Sequence, residues 1–179
     1  WLSRKYLNCL NFEHTIFLTE MYVDCILKRT GFKLLKKIKF QDHSIFYLTK
    51  YTGKKNFVAF PNLYDQNKQT YLNYVNYYRN FTTELNSKLV NFPYKVYLFG
   101  AHIFSQYLLA FNLDQNKIEG ILDNSSLKIG KRLYGTNLTV FEPKIIANEN
   151  VGVILKVGTY RNEIIEQLKK INPNVTIFE

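Results

Sequence analysis

The sequence predicts an α/β protein, and three observations carry that prediction. Strand and helix patterns alternate through the second half of the chain, which implies a parallel sheet with right-handed crossovers. Within it, the apolar run KVYLF at 95–99 turns through one glycine into an amphipathic helical pattern. The first half holds a helix and two strands, joined to the second by a polar helix.

Residues 15–30, TIFLTEMYVDCILKRT, carry apolar side chains at helical spacing and stop at Gly31, a natural C-terminal cap. FKLLKKIKF at 32–40 and SIFYLTKY at 44–51 then predict two strands joined by the polar turn Gln41, Asp42, His43. The lysines of the first strand alternate with apolar residues, as on a half-buried strand with a solvated face. A helix and two strands, roughly 40 residues, are too few to bury a core, so this part resembles the end of a larger sheet.

TGKKNFVAFPNLYDQNK at 52–68 predicts a linker. From Lys68 to Val90 a polar helix follows, with Tyr71, Tyr74, Tyr78, Phe81 and Leu85 along one stripe. That stripe packs the helix on a domain or offers a stacking platform. After NFPY, strands are expected at 95–99, 118–122, 151–156 and 174–178, helices at 102–111 and 160–170, and a shorter element near 142–147.

The chain has 179 residues, 46% of them hydrophobic and 21% charged, as in ordinary folded proteins. No apolar run reaches the roughly 20 residues needed to cross a bilayer, and the first residues lack a signal peptide's apolar core, so no membrane partner is expected. Two scattered cysteines predict a reducing, cytoplasmic setting, and with three histidines they predict no metal site. The net charge of +10 is the footprint expected of a nucleic-acid binder. No RNP-like or Gly-Arg-rich motif accompanies it, so an anionic small molecule is the preferred partner. The opening at Trp1 and a single methionine, Met21, predict a fragment with further chain upstream.

The glycine turn at 100 is the first candidate site. A dinucleotide fingerprint needs three glycines, the second for the pyrophosphate and the third for close helix packing. Counted from Gly100, those places hold His102 and Ser105, which disfavours NAD. The helix from Ala101 still offers N–H groups and a positive dipole end to an anion. Asp123, ending IEGILDN, stands where such folds hold a ribose-binding acid. The plainer alternative, a turn at Gly100 and a loop beginning at Asp123, stays open. Asn124, Lys128, Gly130, Gly135 and Thr136 follow on loops, where open α/β sheets place ligands, the glycines serving turns. The loop VGTYRNEI adds Tyr160, Arg161, Asn162 and Glu163. Arg161 suits a phosphate or carboxylate, though these residues also suit a helix start.

YLFGAHIFSQYLL, ILDNSSLKIGKRLYGTNLTVFEP and GTYRNEIIEQL, in this order, resemble the C-terminal domain of sugar C-methyltransferases, which use S-adenosylmethionine to methylate a nucleotide-linked ketosugar. NFEHTIFLTEMYVDCILKRTGFKLLKKIKFQDHSIFYLTK is similar to the end of the class I methyltransferase domain of the same family, where Tyr-x-Glu-His is common. Here Glu13 and His14 match and Asn11 stands for the tyrosine. The resemblance implies three parts. Residues 1–55 close a class I methyltransferase domain, 56–93 are a linker and connecting helix, and 94–179 form a Rossmann-like domain.

It also implies chemistry. Methylation beside a ketone requires removing a proton from carbon, and a histidine suits that task near neutral pH. The resemblance makes His14 the base and Glu13 its helper. Gly100, Ala101, His102, Asp123, Asn124, Lys128, Tyr160 and Arg161 would contact the nucleotide sugar. Read without the family, a Glu-His pair before a helix is more often a helix-start feature, since carboxylates favour that end. The glycine loop for S-adenosylmethionine is not in this sequence, so the cofactor is expected mainly on upstream chain and this chain alone is expected to be inactive. The substitution at Asn11 leaves O-methylation open. The alternative function is a non-catalytic Rossmann-like module that binds a nucleotide or nucleotide sugar.

Overall fold

Two separate sheets form, one of two strands and one of five. The structure is a computed structural model describing residues 1–11, 14, 16–40, 44–158 and 160–179. It divides into two compact units. The first comprises Trp1 with Leu10–Tyr71, and the second Leu2–Cys9 with Leu72–Glu179.

The first unit holds α1 (Glu20–Arg29), β1 (Phe32–Phe40) and β2 (Ser44–Tyr51). Helix α1 starts later than the apolar spacing predicts. Ile16, Phe17 and Leu18 remain outside it and exposed, and extended Thr19 stands at its N-cap position. Strands β1 and β2 pair antiparallel from Phe32 opposite Tyr51 to Phe40 opposite Ser44, with an irregularity between Leu34 and Lys36. The predicted turn at 41–43 lies outside the described residues.

Alternate residues of a strand face opposite ways. Lys37 turns to α1, where its Nζ meets Asp24 Oδ2 at 2.9 Å and Glu20 Oε1 at 3.2 Å. Lys39, on the same face, meets Glu20 Oε2 at 3.3 Å. These hydrogen bonds from Lys37 and Lys39 hold the Glu20 carboxyl below its ordinary pKa. The opposite face carries Ile38, Phe40, Phe46 and Leu48, all exposed, with Phe46 at 59%. The lysines are in water as expected, with Lys33, Lys36 and Lys39 exposed and Lys37 half-buried against the acids of α1, but the apolar face expected to be buried is open.

The longer stretch of the second unit begins within α2 (Tyr64–Val90), a helix longer than predicted because Tyr64 to Asn67 extend it at the N-terminus. Tyr74, Tyr78, Thr82, Leu85 and Leu89 are its buried residues, so the tyrosine stripe is mainly packing. Tyr78 stacks on Phe111, and Asn86 Nδ2 donates to the Asn112 carbonyl at 2.7 Å. The segment 2–9 is fastened to the same helix, Tyr74 Oη donating to the Tyr6 carbonyl at 3.3 Å and Tyr78 Oη to that of Lys5.

The sheet follows. Its strands are β3 (Lys95–Phe99), β4 (Gly120–Leu122), β5 (Val140–Phe141), β6 (Val151–Ile154) and β7 (Thr176–Phe178), in the order β5-β4-β3-β6-β7. Every neighbouring pair is parallel. Helix α3 (Ile103–Ala110) links β3 to β4, and α4 (Arg161–Ile171) links β6 to β7. A single helical turn, Pro143–Ile146, stands between β5 and β6. The chain leaves β3 towards β4 and β5, then returns to the other side of β3, which is the Rossmann-like order with its switch point between β3 and β6.

Tyr97, Phe99, Leu122, Val151, Val153 and Leu155 point to one face, where they pack with Ile146, Ile164 and Leu168. Val96, Leu98, Ile121 and Ile154 alternate with them and are also buried. Both faces are therefore covered, as parallel sheets require. Buried Asn172 ties the structure below α4 together. Its Nδ2 donates to the carbonyls of Ile146 at 2.8 Å and Glu149 at 2.7 Å.

Candidate functional site

In register, Leu98 pairs with Ile121 on one side and with Ile154 on the other. The loops starting at Gly100, Asp123 and Leu155 therefore leave the same edge of the sheet. That edge, at the carboxyl ends of parallel strands, is where open α/β sheets bind ligands.

Gly100 has φ of +100°, a conformation costly for any residue with a Cβ. Its N–H donates to the Leu122 carbonyl at 2.7 Å. Ala101 N–H donates to Asp123 Oδ2 at 2.7 Å, and His102 N–H to the Gly100 carbonyl at 2.9 Å. His102 then caps α3, its Nδ1 accepting from Phe104 N–H at 3.2 Å. An accepting Nδ1 is unprotonated, which fixes a neutral ring with its proton on Nε2. The ring folds over the turn, so that a Cβ on Gly100 would lie 2.2 Å from Nε2. Burial lowers the His102 pKa, and the nearby Lys128 charge lowers it further, against an opposing pull from Asp123. Ser105, in the third glycine place, is buried and donates from Oγ to the Gly100 carbonyl at 2.5 Å.

Asp123 is only 7% exposed. Oδ1 accepts Ser125 N–H at 2.8 Å, while Oδ2 accepts Ala101 N–H at 2.7 Å and Lys128 Nζ at 3.0 Å. Burial alone would raise its pKa. The Ser125 N–H, the Lys128 ammonium and the Ala101 N–H outweigh burial, and the pKa is lowered. Gly100, Ala101, His102, Asp123 and Lys128 thus form one network in which the chain supplies the partners that a phosphate or ribose would otherwise supply.

The remaining predicted residues diverge. Asn124 exchanges amide hydrogen bonds with Gln167 of α4, at 2.9 and 2.7 Å. Beside that pair opens a cleft of about 640 Å³, lined among others by Ile129, Glu142, Lys144 and Glu163. Tyr160 is 68% exposed at the start of α4. Arg161 turns away to the end of the sheet, where Nε donates to Glu179 Oε1 at 2.5 Å and Nη2 to Oε2. Gly130 and Gly135 both have φ of +77° and serve turns.

In the first unit, His14 lies between aromatic rings, 5.0 Å from Trp1 and 6.4 Å from Phe17 by centroids. Its N–H donates to Asn11 Oδ1 at 3.1 Å. Asn11 therefore holds the His14 backbone. The helix-start alternative does not hold, because α1 begins only at Glu20. Glu13 lies outside the described residues.

Among the described residues, no three His, Cys, Asp or Glu side chains gather as a metal site, and no helix is long and apolar enough to cross a membrane. Cys9 and Cys25 form no disulfide. Lys156, two residues beyond β6, escaped the sequence reading. Its signal was there, since it is the first charge after the unbroken apolar run VGVIL. No known family model matches the chain, and no curated protein matches it.

Proposed function

We propose that this chain is part of an S-adenosylmethionine-dependent methyltransferase acting on a nucleotide-linked ketosugar, residues 94–179 holding the sugar nucleotide. The observation that supports this reading is the Rossmann-like strand order with its switch point between β3 and β6. It puts the loops that resemble the sugar C-methyltransferase family along one edge of the sheet.

In this reading His14 removes the proton from the carbon beside the ketone, and the electron pair moves onto the carbonyl oxygen as an enolate. The ring contacts with Trp1 and Phe17, and the Asn11 bond to the His14 backbone, favour one placement of the imidazole. The residues present do not suit S-adenosylmethionine. The glycine turn after β3 is closed by His102, and no glycine-rich loop exists elsewhere in the sequence. In this reading the methyl donor is held by chain outside these residues.

The test is solvent-deuterium exchange at the carbon beside the ketone, followed by NMR with the nucleotide-linked ketosugar and the methyltransferase containing this chain. His14→Ala is expected to slow exchange about 10²-fold or more, the usual worth of a general base, while leaving affinity largely intact. Wild-type exchange in the variant removes His14 from the mechanism. Binding without exchange in the wild type favours the non-catalytic binding module, whose support is that the second unit carries its own covered sheet and cleft.

A further inference from the structure

The α3 N-terminus is closed by the chain itself, so a phosphate at the switch point needs another cation. Gly100 and Lys156 lie equally far beyond the paired residues Leu98 and Ile154, so they leave the sheet side by side at the switch point. Lys156 is half-buried and turns opposite to Leu155, onto α2. There its Nζ is 3.4 Å from Tyr77 Oη, 4.6 Å from the centroid of Phe81 and 5.6 Å from that of Tyr77.

A second ammonium group meets the same ring. Lys5 Nζ lies 5.3 Å from the Tyr77 centroid. Lys5 has φ of 61°, uncommon for a residue with a side chain, and is held there by Tyr78, whose hydroxyl donates to its carbonyl. Strained backbone of this kind persists where the surroundings over-determine it and often marks a functional position. Lys5 Nζ donates to the Ser3 carbonyl at 3.2 Å. Among the described residues, no carboxylate pairs with either ammonium group.

Two ammonium groups held at one aromatic ring, with no carboxylate paired to either among the described residues, favour an anion that carries more than one charge. Aromatic faces hold ammonium groups in place without neutralising them. We infer that Lys156 and Lys5, steadied by Tyr77 and Phe81, form a phosphate-binding subsite at the switch point, taking the diphosphate of a nucleotide-linked ligand. Only the identity of that phosphate's carrier rests on the methyltransferase reading. In this arrangement His102 directs the phosphate from the α3 terminus towards the β6 side of the crevice.

The probe is inorganic pyrophosphate, titrated calorimetrically into the chain at low ionic strength. The expected result is binding by the wild type that weakens with salt. Lys156→Gln should lose about tenfold or more, the worth of one charge-assisted contact, and Lys5→Gln should lose less. Lys156→Arg should stay close to the wild type, as should Lys117→Gln, which removes one charge from an exposed turn. Circular dichroism of each variant reports the fold, and Lys156→Arg keeps the test open should the glutamine variant unfold. No binding at millimolar pyrophosphate overturns the subsite. So do equal losses in Lys156→Gln and Lys117→Gln, which would reflect net charge alone. A large gain of affinity in His102→Ala, with Lys156→Gln without effect, would return the phosphate to α3 and also overturn it. A nucleotide-linked ketosugar separates the two readings. If it fails to bind while pyrophosphate binds through Lys156, the subsite stands and the methyltransferase reading falls. If it binds equally to the wild type and Lys156→Gln, the subsite falls and that reading stands.

Discussion

The two units use similar apolar residues in opposite ways. In the second, the sheet is covered on both faces and Leu98, Ile121, Val153 and Ile154 have no exposed surface. In the first, Leu35, Ile38, Phe40, Phe46 and Leu48 lie on a two-stranded ribbon and all are exposed, while α1 contributes no buried residue. Among the described residues, the buried polar side-chain atoms without a hydrogen-bond partner, Thr19 Oγ1, Asp24 Oδ1 and Tyr47 Oη, also belong to the first unit. Apolar content alone therefore does not make a core. Layers do, and a two-stranded ribbon has too few.

That contrast can be broken by one type of substitution made twice. Val153→Lys puts an unpaired ammonium group into the covered sheet and should cost more than about 4 kcal/mol, enough to unfold the second unit. Phe46→Lys should change stability by no more than about 0.5 kcal/mol, as for a surface position. Urea unfolding measures both, and similar losses would mean that the ribbon is covered in solution. Hydrogen exchange sharpens the same point. Amides of β1 and β2 should exchange by local opening, about 10²-fold or more faster than those of β3 and β6.

Within the second unit, Asn172→Leu should cost about 2–3 kcal/mol, because the carbonyls of Ile146 and Glu149 lose their donor. Denaturant midpoints of the two proteins decide it. Asp123→Asn should cost less, about 1–2 kcal/mol at neutral pH. The pKa of Asp123 is lowered on folding, so its contribution is complete above the ordinary value of 3.8 and is lost as pH falls through the folded value. In Asp123→Asn that acid-side loss should shrink; an unaltered acid limb would leave the network without energetic weight.

The smallest effect concerns His102. Its pKa is also lowered on folding, so the neutral cap is fully stabilising above the ordinary value of 6.5. Stability should decline as pH falls below 6.5 and through the folded pKa. His102→Asn keeps a capping side chain without a titrating ring, and its stability should be flatter between neutral and mildly acid pH.

Much of this was legible in the sequence. The spacing at 95–99 and the alternation after it predicted the parallel sheet, because buried strands bounded by turns leave a strong local pattern. Strand β5 was missed, since two residues carry no period. The strand predicted from 118 starts only at Gly120, because Asp114 caps a helical turn at Gln115–Lys117 that delays the chain's arrival in the sheet. At the site, Gly100, His102 and Asp123 were visible as types at a spacing. Their mutual hydrogen bonds were not, because a carboxylate that binds ribose and one that closes a turn look alike in a sequence. Lys156 was hidden for a related reason, since its partners Tyr77 and Phe81 come from a helix far away along the chain.

The fastening of residues 2–9 to α2 has a topological consequence. The second unit is made from two stretches of chain, and the first unit is a long excursion between them. A protease nick in the 52–63 connection would therefore not free the N-terminal stretch, which would stay bound through the Tyr74 and Tyr78 hydroxyls and the burial of Leu7 and Cys9. Excising the excursion and closing the gap with a short spacer should leave the five-stranded sheet folded. The same architecture makes the excursion replaceable as a module, provided that both ends of its host remain anchored.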